Sequence, residues 1–293
     1  MARILLIVNP FASRVHERGL RAIEEALAHA GEVETVLTER AGHATELAAR
    51  PADAVVAFGG DGVVNEVVNG IPQGVPLGAL PGGGTSVFAR ALGLPRDPVG
   101  AAGQVADAIA SGRRRRIGLG RVERRRFCFA AGVGFDAELV RRVDALGRAG
   151  DGRRPGDLAF VRQLLRMVGG SGLGEPVLEI AGLGRAAAVL VANGDPYTYA
   201  GSIPLHVSRE ARFELGLDLA APVHITRRTL VRLVAHAVRG TGRPSDGLIL
   251  AHDVDRLEIT CDRPLPLQVD GEDLGDVEHV VIEAERDAID VLV

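Results

Sequence analysis

The chain has 293 residues, is 46% apolar and carries a formal net charge of −4. That length gives room for two domains or one large one, the composition excludes a disordered chain, and the near-balanced charge argues against a dedicated nucleic-acid binder. There is no lysine, so all 34 basic residues are arginine, which excludes a Walker or Schiff-base lysine.

In chain order, the first 110 residues alternate between strand and helix. Ile4–Val8 is a continuous apolar run, the mark of a strand buried on both faces. A helix is predicted over Gly19–Ala30, a strand over Glu34–Leu37, a helix over Ala44–Ala49 and a strand over Ala54–Phe58. Val63–Asn69 reads as a helix, Leu77–Leu80 as a strand and Thr85–Leu92 as a helix. This βαβα alternation predicts a parallel sheet covered by helices, with ligands bound beyond the carboxyl ends of its strands.

A boundary is expected near residue 112, after which short strands dominate. Ile117–Val122 and Phe127–Gly132 read as a hairpin split by "ERRR", followed by strands at Val177–Ile180, Ala186–Val191, Leu248–Leu250, Leu257–Thr260, Leu267–Val269 and Val277–Ile282. Helices are expected around Asp136–Leu146 and Leu158–Val168. The pattern predicts a second, antiparallel region. Cys128 and Cys261 show no metal-ligand spacing and read as buried free thiols of a reducing compartment. No apolar run is long enough to span a bilayer, so a cytoplasmic location is expected.

Charge is uneven. Arg113 to Arg154 holds thirteen arginines against five acids, and the chain from Asp246 holds fourteen acids against three arginines. These runs read either as solvated faces or as a basic face for anionic lipid. Phe160, Leu164, Leu165 and Met167, beside Arg162 and Arg166, would make an amphipathic flap on such a face.

Glycines and acids cluster at the predicted strand ends: "VNPFASR", Thr38, "GGDG" and "LPGGGTSVFAR". Glycine-freed N–H groups at a helix start bind phosphate without lysine. Asp61 in "GGDG" is either a turn or helix-capping residue, or a carboxylate facing Mg²⁺ or an acceptor hydroxyl. In "LPLQVDGEDLGD", Asp270, Glu272 and Asp273 are either a solvated hairpin turn or a general base. Glu214 and Asp218 in "ARFELGLDL" are an acidic turn or an oxygen-ligand metal site.

The blocks "GGDGVVNEVVNG", "LPGGGTSVFARALGLP", "AGVGFDAELV", "NGDPYTYAG" and "VDGE" occur in the order seen in the diacylglycerol kinase catalytic-domain family, which the chain resembles over nearly its whole length. The resemblance implies an α/β fold, with an N-terminal parallel-sheet nucleotide-binding domain over about residues 1–112 and a C-terminal antiparallel, β-sandwich-like substrate domain over about 113–280. The last dozen residues, about 281–293, would rejoin the first domain, with the active site between the two.

The resemblance further implies ATP- and Mg²⁺-dependent phosphorylation of a lipid hydroxyl. Asn9, Thr38, Gly59, Gly60, Asp61, Gly62, Asn65, Glu66, Gly83, Gly84 and Thr85 would line the ATP site. Glu272 would be the proton acceptor, supported by Asp270, with Asp61 as a third catalytic acid. Glu214, Asp218 and the backbone at Leu215 would correspond to a structural metal site. The expected partners are a lipid substrate and, transiently, the inner face of a membrane; a homodimer stays open and nucleic acid is not expected. The chain departs from the family pattern at Ser86 and Val87, where Asn and Asp are usual. An NAD-kinase-type enzyme and a lipid- or nucleotide-binding homologue without turnover are the alternatives.

Overall fold

The computed structural model describes residues 1–146, 174–239 and 247–293. The helix expected over residues 158–168, with the amphipathic flap, lies outside them. The chain forms two compact units: Met1–Leu119 with Asp287–Val293, and Gly120–Arg286.

In the first unit, β1 (Ala2–Val8), α1 (Glu17–Ala28), β2 (Gly31–Leu37), α2 (His43–Ala48), β3 (Ala54–Gly59), α3 (Asp61–Gly70), β4 (Leu77–Pro81), α4 (Val87–Ala91) and α5 (Pro98–Ser111) follow in order. The strands pair in parallel as β2-β1-β3-β4. β3 and β4 are buried along their whole length, as expected of strands covered on both faces. The chain returns at its end, where Val291 pairs in parallel with Leu77. From β1 the order runs outward to β2 on one side and to β3 and β4 on the other. The switch point therefore lies between the carboxyl ends of β1 and β3, where sheets of this kind hold their ligands. The sequence reading did not anticipate α5. Its signals are end signals: Asp97 accepts from the Gly100 N–H, Pro98 opens the helix, and Gly112 closes it in the left-handed conformation.

The second unit begins within β5 (Arg115–Val122), which pairs with β6 (Arg125–Phe127). It continues through β7 (Ala130–Val133), α6 (Phe135–Asp144), β8 (Leu178–Ile180), β9 (Gly184–Ala186), β10 (Val189–Ala192), β11 (Thr198–Ala200) and β12 (Ile203–Leu205). Then come β13 (Leu217–Pro222), α7 (Arg227–Arg239), β14 (Leu248–Val254), β15 (Arg256–Val269) and β16 (Glu272–Val291). The antiparallel order is β14-β13-β10-β7-β15-β16, with β8 also on β15 and β11 paired with β12 apart. The hairpin expected to join 117–122 to 127–132 instead closes onto β6, and β7 is a separate strand. Phe127, Val133, Val191, Leu219, Ile259, Val269 and Ile282 belong to one buried core. Gly120 lies opposite Phe127, whose ring would sit 1.9 Å from a Cβ at that position. Bare backbone there gives the aromatic ring its place.

The pairing of β5 with β16 also explains the two charge runs. Arg121 pairs with Glu283 and Glu285, Arg126 with Glu285, and Arg125 with Glu272. Arg141 on α6 holds Asp273 and Asp276. The arginines that read either as a solvated face or as a basic face are, at these positions, paired with the acids of the chain's last third.

Candidate active site

Three loops converge at the switch point of the first unit. The Asn9 N–H donates to the Phe58 carbonyl, the Arg14 N–H to the Gly82 carbonyl, and the Gly82 N–H to the Gly59 carbonyl at 2.8 Å. Asn9 Oδ1 accepts from the Phe11 N–H, closing the first loop as an Asx turn. Thr38 is buried at the end of β2, with its N–H on the Val8 carbonyl. The "GGDG" and "PGGGT" loops pack backbone to backbone: a Cβ on Gly82 would lie 2.8 Å from the Gly59 Cα, and one on Gly83 2.8 Å from the Gly60 Cα. Gly84 differs, since a Cβ there would meet nothing within 4 Å. Two of these glycines serve loop-to-loop contact, and the third borders open space.

The acids of this cluster point at backbone. Asp61 opens α3 and accepts from the Val87 N–H and the Phe88 N–H, both at 3.0 Å. Its carboxylate therefore caps α4, whose own N-cap residue Ser86 makes no capping bond. A turn or capping role was one of the two readings of Asp61; the helix it caps is α4, one loop away. Burial raises its pKa, against the opposing effect of the two N–H bonds and of Arg90. Glu66 does the same for α2: its oxygens accept from the Gly42 N–H at 2.9 Å and the Ala44 N–H at 3.0 Å. An anion at a helix start satisfies orphan donors and opposes the helix dipole. Asn65 is buried, and its Oδ1 accepts from Asn69. Ser86 holds φ +47, a left-handed conformation that Asn adopts more readily than Ser, and its hydroxyl bonds the Gly83 backbone. Thr85 follows Gly84, and its carbonyl accepts from Arg90.

In the second unit, Asp270 sits at φ +47 in the turn between β15 and β16. It is buried and accepts from three N–H groups, Cys128 at 2.7 Å and Phe129 and Ala130 at 3.0 Å. A carboxylate so engaged ties the turn to the segment before β7. Glu272, two residues on, opens β16, pairs with Arg125 and keeps 40% of its side chain exposed. The turn is braced from two more sides. Gln268 Oε1 accepts from the Gly271 N–H, and Arg141 binds both oxygens of Asp273, holding that carboxyl below its usual range.

A buried polar cluster adjoins this turn and was not singled out from the sequence as a site. The Tyr197 hydroxyl donates to Asp136 Oδ2 at 2.6 Å, and Gln268 Nε2 donates to the same oxygen at 2.8 Å. Burial pushes the Asp136 carboxyl up and the Tyr197 phenol well up. The blocks "AGVGFDAELV" and "NGDPYTYAG" held its residues, but nothing in their spacing shows that the two meet.

The third expected site is rearranged. Asp218 is fully buried, and both its oxygens lie 2.8 Å from His252 Nδ1. Glu214 is exposed, and among the described residues no group of three acid, His or Cys side chains converges as a metal site would require. The Glu214, Leu215 and Asp218 donor set does not fit a structural cation, because the imidazole occupies the carboxylate that would bind one.

Residues 3–122 match the model of the diacylglycerol kinase catalytic domain. The chain is 39% identical over 152 residues to a diacylglycerol kinase of Bacillus subtilis, covering 49% of each protein. It is 37% identical over 141 residues to a diacylglycerol kinase of Staphylococcus saprophyticus, covering 45% of each. The match thus spans about half the length of these curated relatives. A putative diacylglycerol kinase from Bacillus anthracis has a similar structure, with a TM-score of 0.78 at 21% identity, covering 99% of this chain and 96% of that one. An NAD kinase from Archaeoglobus fulgidus in complex with ATP is more distant, with a TM-score of 0.54 at 13% identity, covering 99% of this chain and 93% of that one. These structural likenesses establish the fold, with the parallel and antiparallel regions expected from the sequence. Within the matched stretch, the three converging loops form the candidate site.

Proposed function

We propose that the chain is a lipid kinase that moves the γ-phosphate of ATP, with Mg²⁺, to a hydroxyl of a diacylglycerol- or sphingoid-like lipid. The observation that carries this reading is the convergence of the Asn9, Gly59–Gly60 and Gly82–Thr85 loops at the β1/β3 switch point, inside the matched kinase domain. The open space at Gly84 suits a phosphate against bare backbone. Mg²⁺ is usually held by one or two carboxylates plus substrate phosphates, so it needs no cage of three protein ligands. The Asp61 carboxylate, which accepts from the Val87 and Phe88 N–H groups, has about four lone-pair sites, and this suits Asp61 to that role. Bound there, Mg²⁺ supplies charge neutralisation on the phosphates.

The residues divide the work. Backbone N–H groups of the glycine loops position the phosphates. Glu272, the least engaged acid of its turn, accepts the lipid hydroxyl proton as the new O–P bond forms and the bond to the ADP oxygen breaks. Glu272→Gln should lower turnover about 100- to 10,000-fold with little change in KM for ATP. Gly84→Ala should raise KM for ATP in a normally folded protein. The assay is transfer of labelled phosphate from ATP to a total lipid extract and, in parallel, to NAD. Undiminished turnover by Glu272→Gln would remove the proton-acceptor assignment. Phosphorylation of NAD in preference to every lipid would replace the acceptor class.

A further inference from the structure

We infer that Gln268, with Asp136 and Tyr197 behind it, is a positioning residue that sets the backbone from which Glu272 acts. Asp270 and Gly271 form the two-residue loop between β15 and β16, closed by the pair Val269 and Glu272. Both loop residues hold a positive φ, +47 and +77. The shape of such a loop fixes the direction in which the next strand leaves, and Glu272 is the first residue of that strand. Asp270 holds the loop from one side, through the N–H groups of Cys128, Phe129 and Ala130. Gln268 holds it from another, because its Oε1 accepts from the Gly271 N–H at 2.9 Å.

That grip depends on which way the amide faces. A glutamine side chain has one accepting end and one donating end. The donating end, Nε2, meets Asp136 Oδ2 at 2.8 Å and the Tyr197 hydroxyl at 3.0 Å. The Tyr197 hydroxyl gives its own proton to the same Asp136 oxygen, so toward Gln268 it can only accept. Both partners therefore demand the amide NH₂, which leaves the carbonyl end for Gly271. Gln268 is 2% exposed and Tyr197 8%, so water does not compete for these groups. Gly132, opposite Gln268 on β7, makes room for them. A Cβ there would lie 2.7 Å from Asp136 Oδ2 and 3.1 Å from Gln268 Nε2. A two-residue hairpin closes without any buried polar side chain. Burying three of them costs stability unless each is satisfied, and here the satisfied set ends on one N–H of the Glu272 loop. The inference rests on the assignment of Glu272 as proton acceptor in the lipid-kinase reading.

The test is a double-mutant cycle on turnover, with amide exchange at Gly271, read by NMR, as a second measurement. Gln268→Met keeps the bulk and removes both ends of the amide. It should lower kcat roughly 10- to 100-fold with KM for ATP unchanged, the effect of a small misplacement of a reacting group. Tyr197→Phe, the milder change, should act in the same direction by less than about tenfold. In a Glu272→Gln background neither change should lower turnover further, because the group they position is already gone. Exchange at Gly271 should be roughly fivefold faster in Gln268→Met, for the loss of one hydrogen bond. A brace with no part in positioning would lower the melting temperature and leave kcat, measured well below it, unchanged. That result in Gln268→Met, beside a drop in Glu272→Gln, would overturn this inference alone. So would losses that add in full to that of Glu272→Gln, or unaltered exchange at Gly271. Undiminished turnover by Glu272→Gln would refute the proton-acceptor assignment and this inference with it. Faster exchange at Gly271, in a chain that phosphorylates no lipid, would uphold the hold on the loop and refute the kinase reading instead.

Discussion

The turn after β3 and the turn before β16 share the letters Asp-Gly, and both use the aspartate to hold backbone. Asp61 gathers two N–H groups at the start of α4, and Asp270 gathers three from the segment before β7. The turns differ in the acid that accompanies each. Glu66 also faces backbone, at the start of α2, whereas Glu272 meets one arginine and stays half exposed. An acid among glycines can therefore be framework, and across the two regions Glu272 is the one of the four whose carboxylate pairs with an arginine rather than with backbone N–H groups.

Stability measurements separate framework from chemistry. Asp270→Ala strands three buried donors and should cost about 4 kcal/mol in urea unfolding. Asp61→Ala should cost about 2 kcal/mol, and Glu66→Ala about 1 kcal/mol, as lost helix caps. A paired set of glycine changes sharpens the same contrast by thermal unfolding. Gly82→Ala should destabilise by about 2 kcal/mol because its Cβ meets the Gly59 backbone, while Gly84→Ala should stay within about 0.5 kcal/mol.

The smallest expected effect is a pH dependence. The bond to Asp218 raises the His252 pKa above its ordinary value. Its stabilisation is then complete below the unfolded value of about 6.5 and fades as pH rises through the higher folded value. The His252 side chain is 40% exposed, so solvent screening holds the effect below about 1 kcal/mol. The Tm difference between the intact chain and His252→Gln should therefore shrink with rising pH. A difference independent of pH would mean that the pair contributes as a neutral hydrogen bond.

The first unit was legible because β1, β3 and β4 are nearly continuous apolar runs, such as Ile4–Val8, broken by glycine and Asn-Pro. α5 escaped because PVGAAGQVADAIAS is rich in alanine and glycine and lacks a sharp apolar stripe; only its caps mark it. β16 showed only its centre, since its acids alternate along twenty residues and blur the apolar period. The site was legible as a set of loops and illegible as a set of roles. Whether Asp61 or Glu66 faces a ligand depends on where α4 and α2 begin in space, which no spacing within "GGDGVVNEVVNG" encodes. The same holds for His252, thirty-four residues from the aspartate it occupies.

The most direct test of the framework account is urea unfolding of Asp270→Ala beside Glu272→Ala. The account predicts a loss of several kcal/mol for the first and a change within about 0.5 kcal/mol for the second. Equal stability of the two variants would contradict it.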